Sequence, residues 1–141
     1  MILVDTTPLV ALCDPRDNLH RTALADLDRL ARRPLVTCAA VLVEACFLLD
    51  ASPQRQRLEQ VVSTLGIRPF VTDDEIAVWS DVFRWLGRYA EHGPDWADAT
   101  LAVISGREKK AKVWTYDREF RTFWRRLDGS RIPMAVGSST P

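Results

Sequence analysis

Four acids stand where burial is expected: Asp5, Glu44, Asp98 and Asp117. Asp5 follows directly on the apolar run Ile2-Leu3-Val4, and Asp117 follows Val113-Trp114-Thr115-Tyr116. Glu44 is the one charge in the apolar stretch that runs from Ala39 towards Asp50, and Asp98 is the one charge between Trp96 and Ser105. A charge placed in a core is costly unless something compensates it. Four carboxylates brought into one crevice repel one another in a medium of reduced dielectric, and some stay protonated unless cations fill the space between them. Mg2+ or Mn2+, hard ions that prefer oxygen ligands and keep several waters, are the simplest resolution. The chemistry such a set supports is attack of activated water on a phosphodiester, with the leaving oxygen steadied by the ion.

Other chemistries lack their residues. The sequence has no GxxxxGK[ST] or GxGxxG loop to cradle a nucleotide phosphate. His20 and His92 both read as peripheral, and no serine or cysteine nucleophile has a partner in view. Cys13, Cys38 and Cys46 form an odd set without CxxC spacing. They read as small buried hydrophobes in a reducing, cytoplasmic compartment rather than as a zinc site or a disulfide framework. Each acid also has an ordinary role open to it. Asp5 and Asp117 would cap the helices that follow them, Asp98 would serve as a helix-start acid, and a buried arginine would account for Glu44.

The elements that must position these acids alternate. Short apolar runs at Ile2–Val4, 35–38 and 113–116 read as buried strands, with 67–71 as a short extended piece. Between them lie helical patterns. One runs from Asp17 or Asn18 to Pro34, a second is the Glu44 stretch, and a third opens at Ser52-Pro53 and closes at Gly66. A fourth opens on Thr72 and Glu75 as a capping box and turns Ile76, Trp79, Phe83 and Leu86 inward. The Asp98 segment, a short helix over 118–124 and an edge strand over 132–136 complete the chain. Strands alternating with helices of this length predict an α/β domain with a mainly parallel sheet. Asp5 and Asp117 then lie at its carboxyl edge, where open α/β folds bind ligands.

The 141 residues fit one domain, read as 1–136 with a frayed tail at 137–141. No apolar run reaches the ~20 residues of a membrane span, and MILVDTTPLV carries no secretory signal. The formal net charge is zero, but residues 107–131 hold nine Lys/Arg against four Asp/Glu. A basic final quarter beside an acidic remainder suits a polyanion gripped next to an acidic, metal-demanding centre, or else is a solvated surface.

The quoted residues resemble a known family. Asp5-Thr6-Thr7 after an apolar strand, the lone Glu44, Asp98-Ala99 opening Ala-Thr-Leu-Ala-Val-Ile, and Thr115-Tyr116-Asp117-Arg118-Glu119-Phe120 together resemble the PIN-domain nucleases. Within these they look like the VapC toxins of toxin–antitoxin pairs, over nearly the whole chain. The resemblance implies a PIN-like three-layer α/β/α domain and a Mg2+- or Mn2+-dependent endoribonuclease. It also implies a homodimer silenced by an antitoxin whose tail occupies the acidic groove. Carried over by position, Asp5, Glu44, Asp98 and Asp117 are the metal-binding and catalytic quartet. Thr6, at the turn after the first strand, and Thr115, before the last acid, support it by hydrogen bonds. Asp95 departs from the pattern: it either shares the metal or sits as an acid at a helix start. Pro8 is a second departure, stiffening the segment. Arg118 and Arg121, with Arg125 and Arg126 beyond them, are candidates for RNA phosphates, or else form a solvated helix face or antitoxin contacts. The five tryptophans read as core or subunit-contact packing in preference to base stacking. Two rivals stay open. One is a PIN-like RNA- or partner-binding module without catalysis. The other is a phosphoacceptor signalling domain, which would need adjacent acids after the first strand and a strand-end lysine.

Overall fold

The computed structural model describes residues 1–137; the predicted frayed tail, apart from Gly137, lies outside the described residues. Four short strands form one parallel sheet: β1 (Ile2–Val4), β2 (Leu35–Thr37), β3 (Arg68–Pro69) and β4 (Lys112–Trp114), in the order β3-β2-β1-β4. Leu3 pairs with Val36 on one side and Val113 on the other, so β1 is flanked on both edges. All three residues of β1 are fully buried, which is why it reads as a continuous apolar run rather than an alternating one.

Helices α1 (Thr6–Cys13) and α2 (His20–Leu30) connect β1 to β2, and α3 (Ala39–Leu48) and α4 (Ser52–Thr64) connect β2 to β3. Helices α5 (Glu75–Arg88) and α6 (Trp96–Arg107) carry the chain back across to β4. The first two crossovers step away from β1 in one direction and the third returns to its other side. Right-handed crossovers therefore put α5 and α6 on the face opposite α1 to α4. The strand order reverses between β1 and β4, and the crevice at the carboxyl ends of these two strands is where such sheets take ligands.

Five local expectations are corrected. Thr6 does not lie in a turn: it is the first residue of α1, which opens directly after Asp5. Pro8 falls in the first turn of that helix, where its missing N–H costs nothing. Most α1 side chains are buried, so no apolar face distinguishes it in the sequence. Helix α5 turns Val78, Val82 and Trp85 inward, while Ile76, Trp79 and Phe83 are 78%, 51% and 65% exposed. The helix carries two apolar stripes, and spacing alone does not choose between them. Its cap is Asp74, which accepts from the Ala77 N–H at 2.9 Å, and not Thr72. The final strand shrinks to one parallel bridge, Met134 beside Val113. The last helix, α7, spans Glu119–Thr122.

Candidate active site

Strand β1 delivers Asp5 to the carboxyl edge of the sheet, where its N–H donates to the Trp114 carbonyl at the end of β4. Asp5 occupies the N-cap position of α1, yet its side chain makes no capping bond. Its Oδ2 instead accepts from the Thr115 hydroxyl at 2.6 Å, and the residue is 4% exposed. Thr6, one residue on, donates its hydroxyl to Glu44 Oε2 at 2.6 Å and so ties α1 to the middle of α3.

Asp98 comes from the start of α6. Asp95 is the N-cap of that helix and accepts from the Asp98 N–H at 2.8 Å, while Asp98 reaches back to the Asp95 N–H at 3.3 Å. This reciprocal pair satisfies two otherwise orphaned donors of the first turn. Asp117 stands three residues beyond β4 rather than directly on it. Its N–H donates to Thr115 Oγ1 at 3.0 Å, and its Oδ1 accepts from the Glu119 N–H at 2.9 Å. Thr115 therefore bridges Asp5 and Asp117.

Asp5, Glu44 and Asp98 each feel burial and neighbouring carboxylates. Burial pushes Asp5 up to about 7 against the pull of the Thr115 hydrogen bond, and the charges of Glu44 and Asp117 add to the rise. Asp98 is pushed up to about 8, first by burial, then by the charges of Asp95, Asp5 and Asp117. Glu44 is raised by burial, with Asp95 and Asp117 contributing. Among the described residues no ion pair reaches any of the four: the acids that arginine or lysine neutralises are Asp14, Asp26, Asp81 and Asp128. Asp5, which is buried, and Glu44, Asp98 and Asp117, which are half-buried, offer carboxylate oxygens without a basic partner, the donor type a hard divalent cation takes. Among the described residues, however, no three Asp, Glu, His or Cys side chains stand close enough to hold one ion between them. The hydrogen bonds above account for the spread: Asp5 turns to Thr115, Glu44 to Thr6, Asp98 to Asp95 and Asp117 to Glu119.

Beyond Asp117 the arginines part company. Arg118 is exposed. Arg121 donates to the Val136 carbonyl. Arg125 donates to the carbonyl of Trp124 at 2.9 Å. Arg126 is buried, with its Nε on Ser105 Oγ at 3.0 Å, so it works as a core fastener. Trp85, Trp114 and Trp124 are buried, as core packing requires.

The sequence reading gave no role to Thr7, which lies in the quoted Asp5-Thr6-Thr7 motif. Its hydroxyl accepts from the Tyr116 N–H at 2.9 Å and lies 3.4 Å from that of Thr115. It also passed over Asp26, a buried acid on α2. The available signal was its spacing from Ala23 and Leu30, which puts an acid on the inward face of the helix.

The PIN domain family model matches residues 2–123, most of the chain. The chain belongs to the PIN domain family. The fold of this PIN domain is similar to that of Mycobacterium tuberculosis VapC20, a sarcin–ricin loop cleaving toxin, with a TM-score of 0.70 and 24% identity. The match covers 86% of this chain and 93% of that one. A comparison with curated proteins finds no match. The parallel sheet flanked by helices is thus the expected architecture of the family. Among the described residues no helix is long and apolar enough to cross a membrane.

Proposed function

We propose that this PIN domain protein is a Mg2+- or Mn2+-dependent endoribonuclease that hydrolyses RNA phosphodiester bonds as the toxin of a type II toxin–antitoxin pair. The observation that carries the reading is that Asp5, Glu44, Asp98 and Asp117, in a fold of the PIN family, have no basic side chain paired with any of them among the described residues. Asp5, Asp98 and Asp117 would hold the cation and Glu44 would assist. A bound divalent ion supplies charge neutralisation and acidifies water. The protein's own part is orientation. Thr115 sets the Asp5 carboxylate and the Asp117 backbone, Thr6 sets Glu44, and Asp95 fixes the first turn of α6 beneath Asp98. Exposed Arg118 would contact substrate phosphates, and Arg121 would join it only by giving up the Val136 carbonyl that it holds here. VapC20 cleaves an RNA loop, and an RNA substrate is the class we extend to this chain.

The partners follow from the same reading. An antitoxin tail would occupy the acidic groove in the cytoplasm. A homodimer would cover the exposed apolar face of α5, where Phe83 packs edge-on against Trp96 with ring centres 5.0 Å apart. The deciding experiment is cleavage of a labelled RNA with and without Mn2+, comparing the wild type with Asp98→Asn. Cleavage that needs Mn2+ and disappears in the variant supports the reading; cleavage retained in the variant refutes the assignment. Failure of the wild type to bind Mn2+ by calorimetry favours the binding-module alternative, which the dispersed carboxylates also suit.

A further inference from the structure

One buried acid takes no part in the carboxylate site. Asp26 is 3% exposed on the inward face of α2, between Ala23 and Leu30. Its Oδ2 accepts from the Tyr116 hydroxyl at 2.7 Å, and its Oδ1 pairs with Arg29 one turn along. The Tyr116 hydroxyl accepts in turn from Trp114 Nε1 at 3.1 Å. Burial and the Asp26 acceptor both push the Tyr116 phenol up, so it stays a donor through the neutral range. A buried polar network whose members are all bonded rigidifies the segments it joins.

Here the geometry in question is that of residues 115–117. β4 ends at Trp114, so no strand ladder fixes the segment that carries Thr115 and Asp117. Besides the Thr115 hydroxyl on Asp5, two tethers at Tyr116 hold it. The Tyr116 N–H is anchored on Thr7 Oγ1, and the Tyr116 hydroxyl is anchored on Asp26. We propose that Asp26 is a positioning residue: through the Tyr116 hydroxyl it pins residues 115–117 and so sets where Thr115 and Asp117 stand relative to Asp5. Its consequence for catalysis rests on the nuclease reading, whereas the tether itself is testable without metal or RNA.

The test uses the full chain and starts metal-free, with backbone amide exchange. Tyr116→Phe removes one oxygen and keeps the ring. It should speed exchange at the Tyr116 and Asp117 amides about tenfold or more while leaving Leu3 and Val113 in the sheet unchanged, the pattern of a local opening. Mn2+ affinity should fall about tenfold, the size expected when a group that orients metal ligands is lost. With RNA, kcat should drop while KM holds. Asp26→Ala should reproduce these effects, and the double variant should be no worse than either single one, because all three break the same link. Asp26→Asn keeps an acceptor for the phenol and should restore most of the protection. Unchanged exchange at Tyr116 and Asp117 in Tyr116→Phe overturns the proposal, as does loosening spread evenly over the sheet. If Asp26→Ala fails to fold, Tyr116→Phe decides alone. If the wild type binds no Mn2+, the nuclease reading fails while the exchange result still decides whether Asp26 holds the segment.

Discussion

Replacing Asp5 by Asn should stabilise this protein, and the gain should depend on pH and on divalent ions. Burial raises Asp5 from 3.8 to about 7 in the folded chain. The folded state therefore binds a proton that the unfolded state has already released between these two values. The linkage slope is negative across that window, so Asp5 takes stability away as pH climbs from about 4 to about 7 and then costs a constant amount. Three units at 1.36 kcal/mol each put that cost at about 4 kcal/mol. For a chain of this size it corresponds to roughly 13 °C in Tm as a ceiling. Asparagine keeps an oxygen for the Thr115 hydroxyl, so the packing and that hydrogen bond survive. Thermal melts of metal-free protein at about pH 8 should show the Asp5→Asn variant several degrees above the wild type, with the gap closing towards about pH 4. Saturating Mn2+ should raise the wild type by about 3 kcal/mol at a hundredfold excess over Kd and leave the variant unmoved. A gap that is absent at alkaline pH, or that does not change with pH, would refute the argument that Asp5 is a buried carboxylate awaiting a cation.

Other perturbations probe neighbouring links. Thr115→Val removes the hydroxyl shared by Asp5 and the Asp117 N–H; denaturant unfolding should show a loss of about 1–3 kcal/mol. That loss should be larger at alkaline than at acid pH, because the Thr115 bond holds Asp5 down. The two stripes of α5 should behave oppositely. Trp85→Ala, in the core, should cost about 3–5 kcal/mol, whereas Phe83→Ser on the exposed stripe should cost the monomer only about 1 kcal/mol, the size of its edge-on contact with Trp96. Phe83→Ser should also lower the mass seen by light scattering if a second copy covers that stripe. The buried Cys13 thiol, pushed up to about 11 by burial, should resist a thiol reagent until the protein is unfolded.

Much of the site was legible because charge in an apolar context is informative by itself. Asp5 after Ile2-Leu3-Val4 is buried at the sheet edge as that logic requires, whereas Glu44 is only half-buried, because α3 buries Val41 and Ala45 and leaves Val43 and Phe47 exposed. The parallel sheet followed from the same runs, since strands covered on both faces read as unbroken apolar segments. Helix α1 did not follow, because a helix buried nearly all round shows no period and here only Asp5 separates it from a strand. The inward face of α5 did not follow either: Ile76, Trp79 and Phe83 compete with Val78, Val82 and Trp85 on hydrophobicity alone.

The residue types and their order thus determined the class of fold and which acids are unusual, because burial cost and hydrophobic period are properties of short segments. How those acids are aimed was decided only in three dimensions. Thr115 turns Asp5 inward across 110 positions of chain, and Asp26 on a distant helix takes hold of Tyr116 across 90. Such bonds join residues with no spacing rule between them, and they form only once β1 and β4 lie side by side.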